Sequence, residues 1–179
     1  MVIDWRALAQ QVGDLNADGS EKGNGTESGR RALELIIGAE NIRGAVDQWT
    51  SLEPGAFTAE KALLILSSTI AMEYCYAIYK TEPNSERAER AVFLLSEMAD
   101  SRVLPWVREF MEDRNKSVRW NGLVAVGQIL EGPLSDDGIA LAKEILIKAE
   151  SDRDERFGER ARQIRRQLAS DPRLRHLGL

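Results

Sequence analysis

The strongest constraint on the fold is an internal repeat. Residues 59–67 (AEKALLILS) match residues 88–96 (AERAVFLLS) position by position at a spacing of 29 residues. Further steps of 31 and 39 residues carry the same register into residues 118–129 and 157–168, and the longer last step coincides with an insertion at 131–138. A recurring period of about 30–40 residues predicts stacked two-helix units, each too thin to bury its apolar face alone.

Helical periodicity dominates the chain from Arg30 onward, and no alternating strand pattern of useful length follows it. We therefore predict a single all-α domain over residues 1–179, with an amphipathic helix over 2–12 and a flexible, glycine-rich loop over 13–29. Four helix pairs follow. Their first helices are predicted at 39–52, 69–80, 102–112 and 136–149, and their second helices at 57–67, 86–99, 116–130 and 154–168.

Charge is unevenly distributed along a chain of ordinary globular composition, with 43% hydrophobic and 30% charged residues. Residues 1–85 contain 7 basic and 12 acidic side chains and account for the whole net charge of −5. No apolar stretch is long enough to span a bilayer, and the N-terminus lacks the pattern of a secretory signal. These features predict a cytoplasmic protein with a basic protein as partner, no membrane association, and little affinity for nucleic acid.

Three segments of the third pair carry a family resemblance. They are DSRVLPWV at 100–107, NKSVR at 115–119 and AVGQIL at 125–130. Together they resemble a bacterial HEAT repeat, in which an Asp turn precedes a first helix with an early proline and Val-Arg opens the second helix. The resemblance is closest over 86–130. It implies a right-handed α-solenoid of about four HEAT-like helix pairs, and it implies no single function, because this fold serves scaffolds, lyases, glycosylases and inhibitors alike.

The residue types at several positions of this repeat have a structural explanation. Pro105 is expected in the first turn of its helix, where the missing N–H costs nothing. Asp100 and Ser101 are expected to cap that helix. Gly122 and Gly127 are expected where neighbouring helices approach closely, since glycine in a helix otherwise costs about 1 kcal/mol.

Few residues could carry catalysis. The chain contains one histidine, His176, near its end, and one cysteine, Cys75, in an apolar segment that favours buried packing. These leave no Cys/His metal cluster, and the only possible catalytic triad would depend on the tail histidine. Phosphate-binding glycine loops are absent as well. We expect no enzymatic activity and no cofactor.

One loop resembles the first half of a calcium-binding motif. Asp14, Asn16 and Asp18 with Gly19 place oxygen ligands at positions 1, 3 and 5 and glycine at position 6. Position 12 is Gly25, however, where a bidentate glutamate is required. A plain Asx- and glycine-rich loop is the favoured interpretation, and calcium binding is the alternative.

A candidate binding face follows from the repeat register, which directs Val118, Gly122, Ala125, Val126 and Ile129 to the core. The positions beside them on successive second helices would then line the concave side of a solenoid. They are Glu60, Lys61, Glu89, Arg90, Phe93, Glu97, Trp120, Asn121, Val124 and Gln128. Aromatic and arginine anchors inside a polar rim are typical of protein interfaces. The alternative is that Trp120 packs on an adjacent helix or on the head helix around Trp5.

A basic series near the C-terminus is a second candidate. It comprises Arg153, Arg156, Arg160, Arg162, Arg165 and Arg166. Such a series could bind the phosphates of a nucleic acid. The favoured interpretation is a solvated face of the last helix, partly neutralised by Asp152, Asp154, Glu155 and Glu159, because terminal repeats need a polar outer surface.

Three functions remain open from the sequence. Small acidic HEAT-like proteins without catalytic residues resemble immunity proteins, so the first hypothesis is an inhibitor that neutralises a cognate bacterial toxin by covering its active site, with Trp120 as anchor. The second is a scaffold or regulatory subunit that uses the same face. The third is a HEAT-like DNA glycosylase, which would need a basic groove.

Overall fold

The computed structural model describes residues 3–20, 22, 26–152 and 154–170. Within these residues the chain forms ten α-helices and no strand, which confirms the all-α prediction. The helices are α1 (Trp5–Gln11), α2 (Thr26–Ile37), α3 (Ala39–Ser51), α4 (Ala56–Leu66), α5 (Thr69–Thr81), α6 (Glu86–Met98), α7 (Leu104–Glu112), α8 (Lys116–Glu131), α9 (Asp136–Glu150) and α10 (Glu155–Ser170). None of the helices in the described part of the chain has the length and apolar character needed to span a membrane.

The eight helices of the four predicted pairs are α3 to α10, and each begins and ends within two residues of its prediction. The region before them differs. The first helix begins at Trp5, because Asp4 accepts a hydrogen bond from the Ala7 amide at 3.0 Å and caps it. The predicted loop is shorter than 13–29, because its last four residues begin α2. Gly38, at a φ of 84°, separates α2 from α3.

The helices form two compact units, Met1–Tyr74 and Cys75–Leu179. Each unit is described by itself below. The single domain over the whole chain stays a prediction.

In the first unit, α3 packs against α4. Ile42, Val46 and Trp49 of α3 and Leu63 of α4 are buried there. Two side chains of α2 form hydrogen bonds with the turn between α4 and α5. The Arg30 guanidinium donates to the carbonyl of Ser67 at 3.3 Å, and the Glu34 carboxylate accepts from Ser68 and Thr69.

In the second unit, α8 packs against both α6 and α7. The predicted core positions of α8 are confirmed: Val118, Gly122, Ala125, Val126 and Ile129 are all buried. The close approach predicted at Gly122 is confirmed as well, since a Cβ there would lie 3.0 Å from Cβ of Phe110. Gly127 is different: its nearest neighbour to a Cβ would be Cδ1 of Ile164 at 3.8 Å, an ordinary contact. The prediction that packing requires glycine at 127 is therefore wrong.

An aromatic cluster joins the C-terminal part of α5 to α7. The rings of Tyr76 and Trp106 stack at 4.5 Å with an interplanar angle of 6°, and Tyr79 meets Phe110 edge to face at 4.9 Å. Both tyrosine hydroxyls donate to carboxylates of the second unit, Tyr76 to Glu109 at 2.7 Å and Tyr79 to Asp113 at 2.8 Å. These contacts bury Phe110 and partly bury the other three rings, while each tyrosine hydroxyl keeps a hydrogen-bond acceptor.

Two local predictions around α7 have different outcomes. Pro105 lies in the first turn of the helix, as predicted. Asp100 and Ser101 do not cap it: the N-cap residue is Val103, without a side-chain hydrogen bond, and the Asp100 carboxylate accepts from Arg102 instead. The predicted burial of Cys75 is confirmed, as its side chain has no exposed surface.

Candidate protein-binding cleft

An open cleft of about 680 Å³ lies between α6 and α8 in the second unit. It is lined by Glu86, Glu89, Arg90, Phe93, Lys116, Ser117, Trp120 and Asn121. Five of these residues belong to the binding face predicted from the repeat: Glu89, Arg90, Phe93, Trp120 and Asn121. The volume is in the range of protein sites that hold a small molecule or a few side chains.

Helical geometry explains why these residues line one cleft. Residues four apart lie on the same face of a helix. On α6, the spacing places Arg90 one turn after Glu86 and Phe93 one turn after Glu89. On α8, it places Trp120 one turn after Lys116, and Ser117 and Asn121 form the neighbouring row. Each helix therefore contributes two adjacent rows to the wall.

Two aromatic side chains give the cleft its apolar surface. Phe93 is 38% exposed and Trp120 is 39% exposed. Trp120 also contacts a neighbouring helix, since its ring lies 6.4 Å from that of Phe157 on α10. The structure therefore combines the two sequence interpretations for this residue: Trp120 packs on an adjacent helix and still presents more than a third of its surface to solvent.

The charges around the cleft are largely paired within the unit. Glu86 meets Arg90 at 3.3 Å, and Glu89 accepts a hydrogen bond from the side chain of Asn115 at 3.1 Å. Lys116 pairs with Asp154 of the turn before α10. This hydrogen bond holds the pKa of the Asp154 carboxyl below its usual range. Acidic and basic groups alternate here, so the cleft has no strong field of one sign.

Asn121 lies on the α8 wall of the cleft. It is 8% exposed, yet within the described residues its side-chain amide makes no hydrogen bond. The other buried polar side chain described in the second unit, Ser96, donates to the carbonyl of Phe93 at 2.7 Å. Neither amide atom of Asn121 is among the fully buried side-chain atoms without a partner, so solvent in the cleft reaches this amide.

The remaining predicted site residues lie outside the lining of the cleft. Glu97 on α6 and Gln128 on α8 are exposed, and Val124 is half-buried. In the first unit, Lys61 is exposed, whereas Glu60 is only 7% exposed and pairs with Lys61 at 3.1 Å. The sequence placed Glu60 on an open binding face, whereas the structure buries its side chain.

Sequence reasoning missed three residues of the cleft: Glu86, Lys116 and Ser117. A signal for them was present. Each stands one helical turn before a residue that the repeat register had already selected. Extending the register by four residues toward each N-terminus would have included all three.

The Asx-rich loop has its own internal hydrogen bonds. Asp18 accepts from the backbone amide of Ser20 at 2.9 Å and from its hydroxyl at 2.6 Å, and Asn16 donates to the same hydroxyl at 3.0 Å. The two hydrogen bonds from Ser20 lower the pKa of Asp18. In the part of the chain that the structure describes, no three His, Cys, Asp or Glu side chains come together as a metal site. Gly25 of the calcium pattern lies outside the described residues, as do His176 and Arg153.

The C-terminal basic series is dispersed along α10. Arg165 pairs with Glu150 at 2.8 Å, and Arg160 donates to Gln163 at 2.8 Å. Two of the acids that were expected to neutralise the series pair with residues of α8 instead. Asp152 pairs with Arg119 at 3.5 Å, and Asp154 pairs with Lys116.

Comparison with protein-family models, with curated proteins and with solved structures finds no match for this sequence.

Proposed function

We propose that this chain is a protein-binding module that uses the α6–α8 cleft. The observation that supports this is the pair of partly exposed rings, Phe93 and Trp120, set among charged side chains in one concavity. Energetic hot spots of interfaces are enriched in Trp and Arg and lie in pockets within a polar rim. Arg90 provides the arginine of this set.

The repeat supports a HEAT-type architecture as part of the same proposal. Four helix pairs follow each other at the spacing that the sequence register predicts. In a right-handed solenoid of such pairs, second helices like α6 and α8 line the concave side, where these proteins bind their partners.

The specific function that we propose is inhibition of a basic toxin by occlusion, as in an immunity protein. The acidic excess of residues 1–85 would speed association with a basic partner, because complementary charge increases the association rate more than the final affinity. Binding without inhibition, as in a scaffold, would use the same cleft. The glycosylase hypothesis is not favoured, since the lysine and arginine of the cleft are paired with acids.

A photo-crosslinking amino acid at position 93, introduced in the source cell, tests the proposal directly. Crosslinked partners are identified by mass spectrometry and then purified. Trp120→Ala should weaken the purified complex by about 2 kcal/mol, or roughly 30-fold, because it removes a large anchor from the centre of the cleft. Ile147→Ala is the matched control: it truncates an apolar side chain that is 55% exposed on α9, away from the cleft lining.

Equal affinities of wild type and Trp120→Ala would contradict the assignment of the cleft. Binding of duplex DNA at moderate salt, with no protein crosslinked at position 93, would contradict the protein-binding module itself. Inhibition is tested separately by measuring the partner's own activity with and without the complex.

A further inference from the structure

Glu89 differs from the other charged residues that line the α6–α8 cleft. Among the described residues it forms no ion pair, and its one described hydrogen bond comes from a neutral side-chain amide. The other three charged residues of the lining each have an opposite charge as partner: Glu86 pairs with Arg90, and Lys116 pairs with Asp154. The cleft therefore has one carboxylate without a countercharge.

The carboxylate of Glu89 is held in place from the start of α8. Its Oε2 accepts a hydrogen bond from the side-chain amide of Asn115 at 3.1 Å. The oxygen of that same amide caps α8 by accepting from the backbone N–H of Ser117 at 2.8 Å. The group that positions Glu89 is thus itself fixed, and a carboxylate that is fixed in advance loses little freedom when it binds a ligand.

The second carboxylate oxygen of Glu89, Oε1, is open to a ligand. No described residue donates a hydrogen bond to Oε1, and this atom is not among the fully buried atoms without a partner, so solvent reaches it. The side chain as a whole is half-buried. A half-buried carboxylate without a countercharge favours a cation as the occupant, because charges attract more strongly near protein than in bulk water.

The aromatic rings of the cleft favour arginine among the possible cations. Phe93 lies one helical turn after Glu89 on α6, so the two side chains share a face. Trp120 lines the same cleft from α8 and is 39% exposed. A guanidinium is planar and weakly hydrated, and it stacks on aromatic rings while its N–H groups donate to a carboxylate. An anionic ligand would instead meet Glu89 with like charge.

We infer that the cleft binds an arginine side chain of the partner protein, which stacks on Phe93 and Trp120 and donates to Oε1 of Glu89. This inference rests on the proposed function, and it names the chemical group of the partner that the cleft recognises. Arg90 and Lys116 keep their own acids as partners, so the guanidinium that reaches Glu89 comes from outside the chain.

The test uses the full-length chain and three probes with blocked ends: acetyl-arginine amide, acetyl-lysine amide and acetyl-citrulline amide. Citrulline keeps the shape of arginine but has no charge. The indole N–H signal of Trp120 in NMR, assigned with the Trp120→Phe variant, reports binding. We expect the arginine probe to bind with a Kd of about 1–10 mM, and the other two to bind at least about fivefold more weakly.

Glu89→Gln is the decisive variant, because glutamine keeps the size of the side chain and an acceptor for Asn115 while it removes the charge. It should weaken binding of the arginine probe about tenfold. Glu131→Gln is the matched control, since it makes the same charge change at an exposed position at the end of α8, outside the cleft lining. It should bind the probe as wild type does. A purely structural Glu89 would give a lower Tm with unchanged binding.

Other results would overturn the inference. The arginine probe could leave the Trp120 signal unshifted at about 50 mM, or bind no more tightly than the citrulline or lysine probe. AMP could bind more tightly than the arginine probe, which would identify an anion site instead. If the purified partner complex requires Trp120 but is indifferent to Glu89→Gln, the inference fails and the proposed function stands. If neither residue matters to that complex, the proposed function fails as well.

Discussion

The carboxylate of Glu34 accepts a hydrogen bond from the hydroxyl of Ser68 at 2.5 Å. The same oxygen accepts from the backbone amide of Thr69 at 2.8 Å, so a side chain on α2 caps the N-terminus of α5. One turn earlier on α2, Arg30 donates to the carbonyl of Ser67, just after α4 ends. A single helical turn of α2 thus satisfies backbone groups on both sides of the α4–α5 turn.

Glu34→Ala should lower the free energy of unfolding of the first unit by about 1–2 kcal/mol, because the Thr69 amide and the Ser68 hydroxyl lose their acceptor. Urea denaturation measures the loss. Amide hydrogen exchange should show faster opening at the start of α5. Glu40→Ala is the control, since Glu40 is exposed and, among the described residues, pairs with Arg43 on its own helix. Equal effects of the two substitutions would show that Glu34 is not a cap.

The two glycines of α8 should respond oppositely to alanine. A Cβ at Gly122 would lie 3.0 Å from Cβ of Phe110 and 3.2 Å from the sulfur of Met111, so Gly122→Ala should cost about 1–3 kcal/mol of stability. At position 127 a Cβ meets only an ordinary contact, so Gly127→Ala should gain about 0.5–1 kcal/mol from helix propensity. Thermal denaturation should show a lower Tm for Gly122→Ala and a higher Tm for Gly127→Ala than for wild type. A stabilising Gly122→Ala would mean that α7 and α8 are less closely packed than described.

Tyr79 should make stability fall at alkaline pH. Burial, with the hydrogen bond to Asp113, raises the pKa of the Tyr79 phenol well above its usual range. The unfolded chain releases this proton near pH 10, whereas the folded chain retains it. The stability that the phenol contributes is therefore complete below about pH 10 and declines as the pH rises further.

Tyr79→Phe should cost about 1 kcal/mol at neutral pH, because it leaves Asp113 without the hydroxyl. It should also reduce the loss of stability between about pH 9 and pH 11, since phenylalanine has no proton to release. Urea denaturation of both proteins at each pH gives the difference. The same alkaline loss in wild type and variant would contradict the role of this phenol.

The candidate cleft could be predicted in part from the sequence. The repeat register selected Trp120, Phe93 and Arg90 because helical spacing determines which residues share a face, and that spacing is fixed by the backbone alone. The register was wrong at Glu60, which it aligned with the half-buried Glu89. Burial depends on which other elements cover a helix, and those elements are not encoded in the spacing of the repeat.

The sequence by itself determined the all-α class, the bounds of α3 to α10 and the core face of α8. These features follow from local periodicity, from breaks at Gly and Pro, and from the repeat. The tertiary structure alone decided which of the equivalent positions in the repeat are buried. Ile65 and Leu94 occupy matching places in the repeat, yet Ile65 is 87% exposed and Leu94 is fully buried.

The tertiary structure also decided the long-range polar pairs. Glu34 meets Ser68, and Tyr79 meets Asp113, across 34 residues of sequence in each case. Such contacts depend on the packing of separate helices, because a carboxylate finds its partner only where the backbone has already brought the two together.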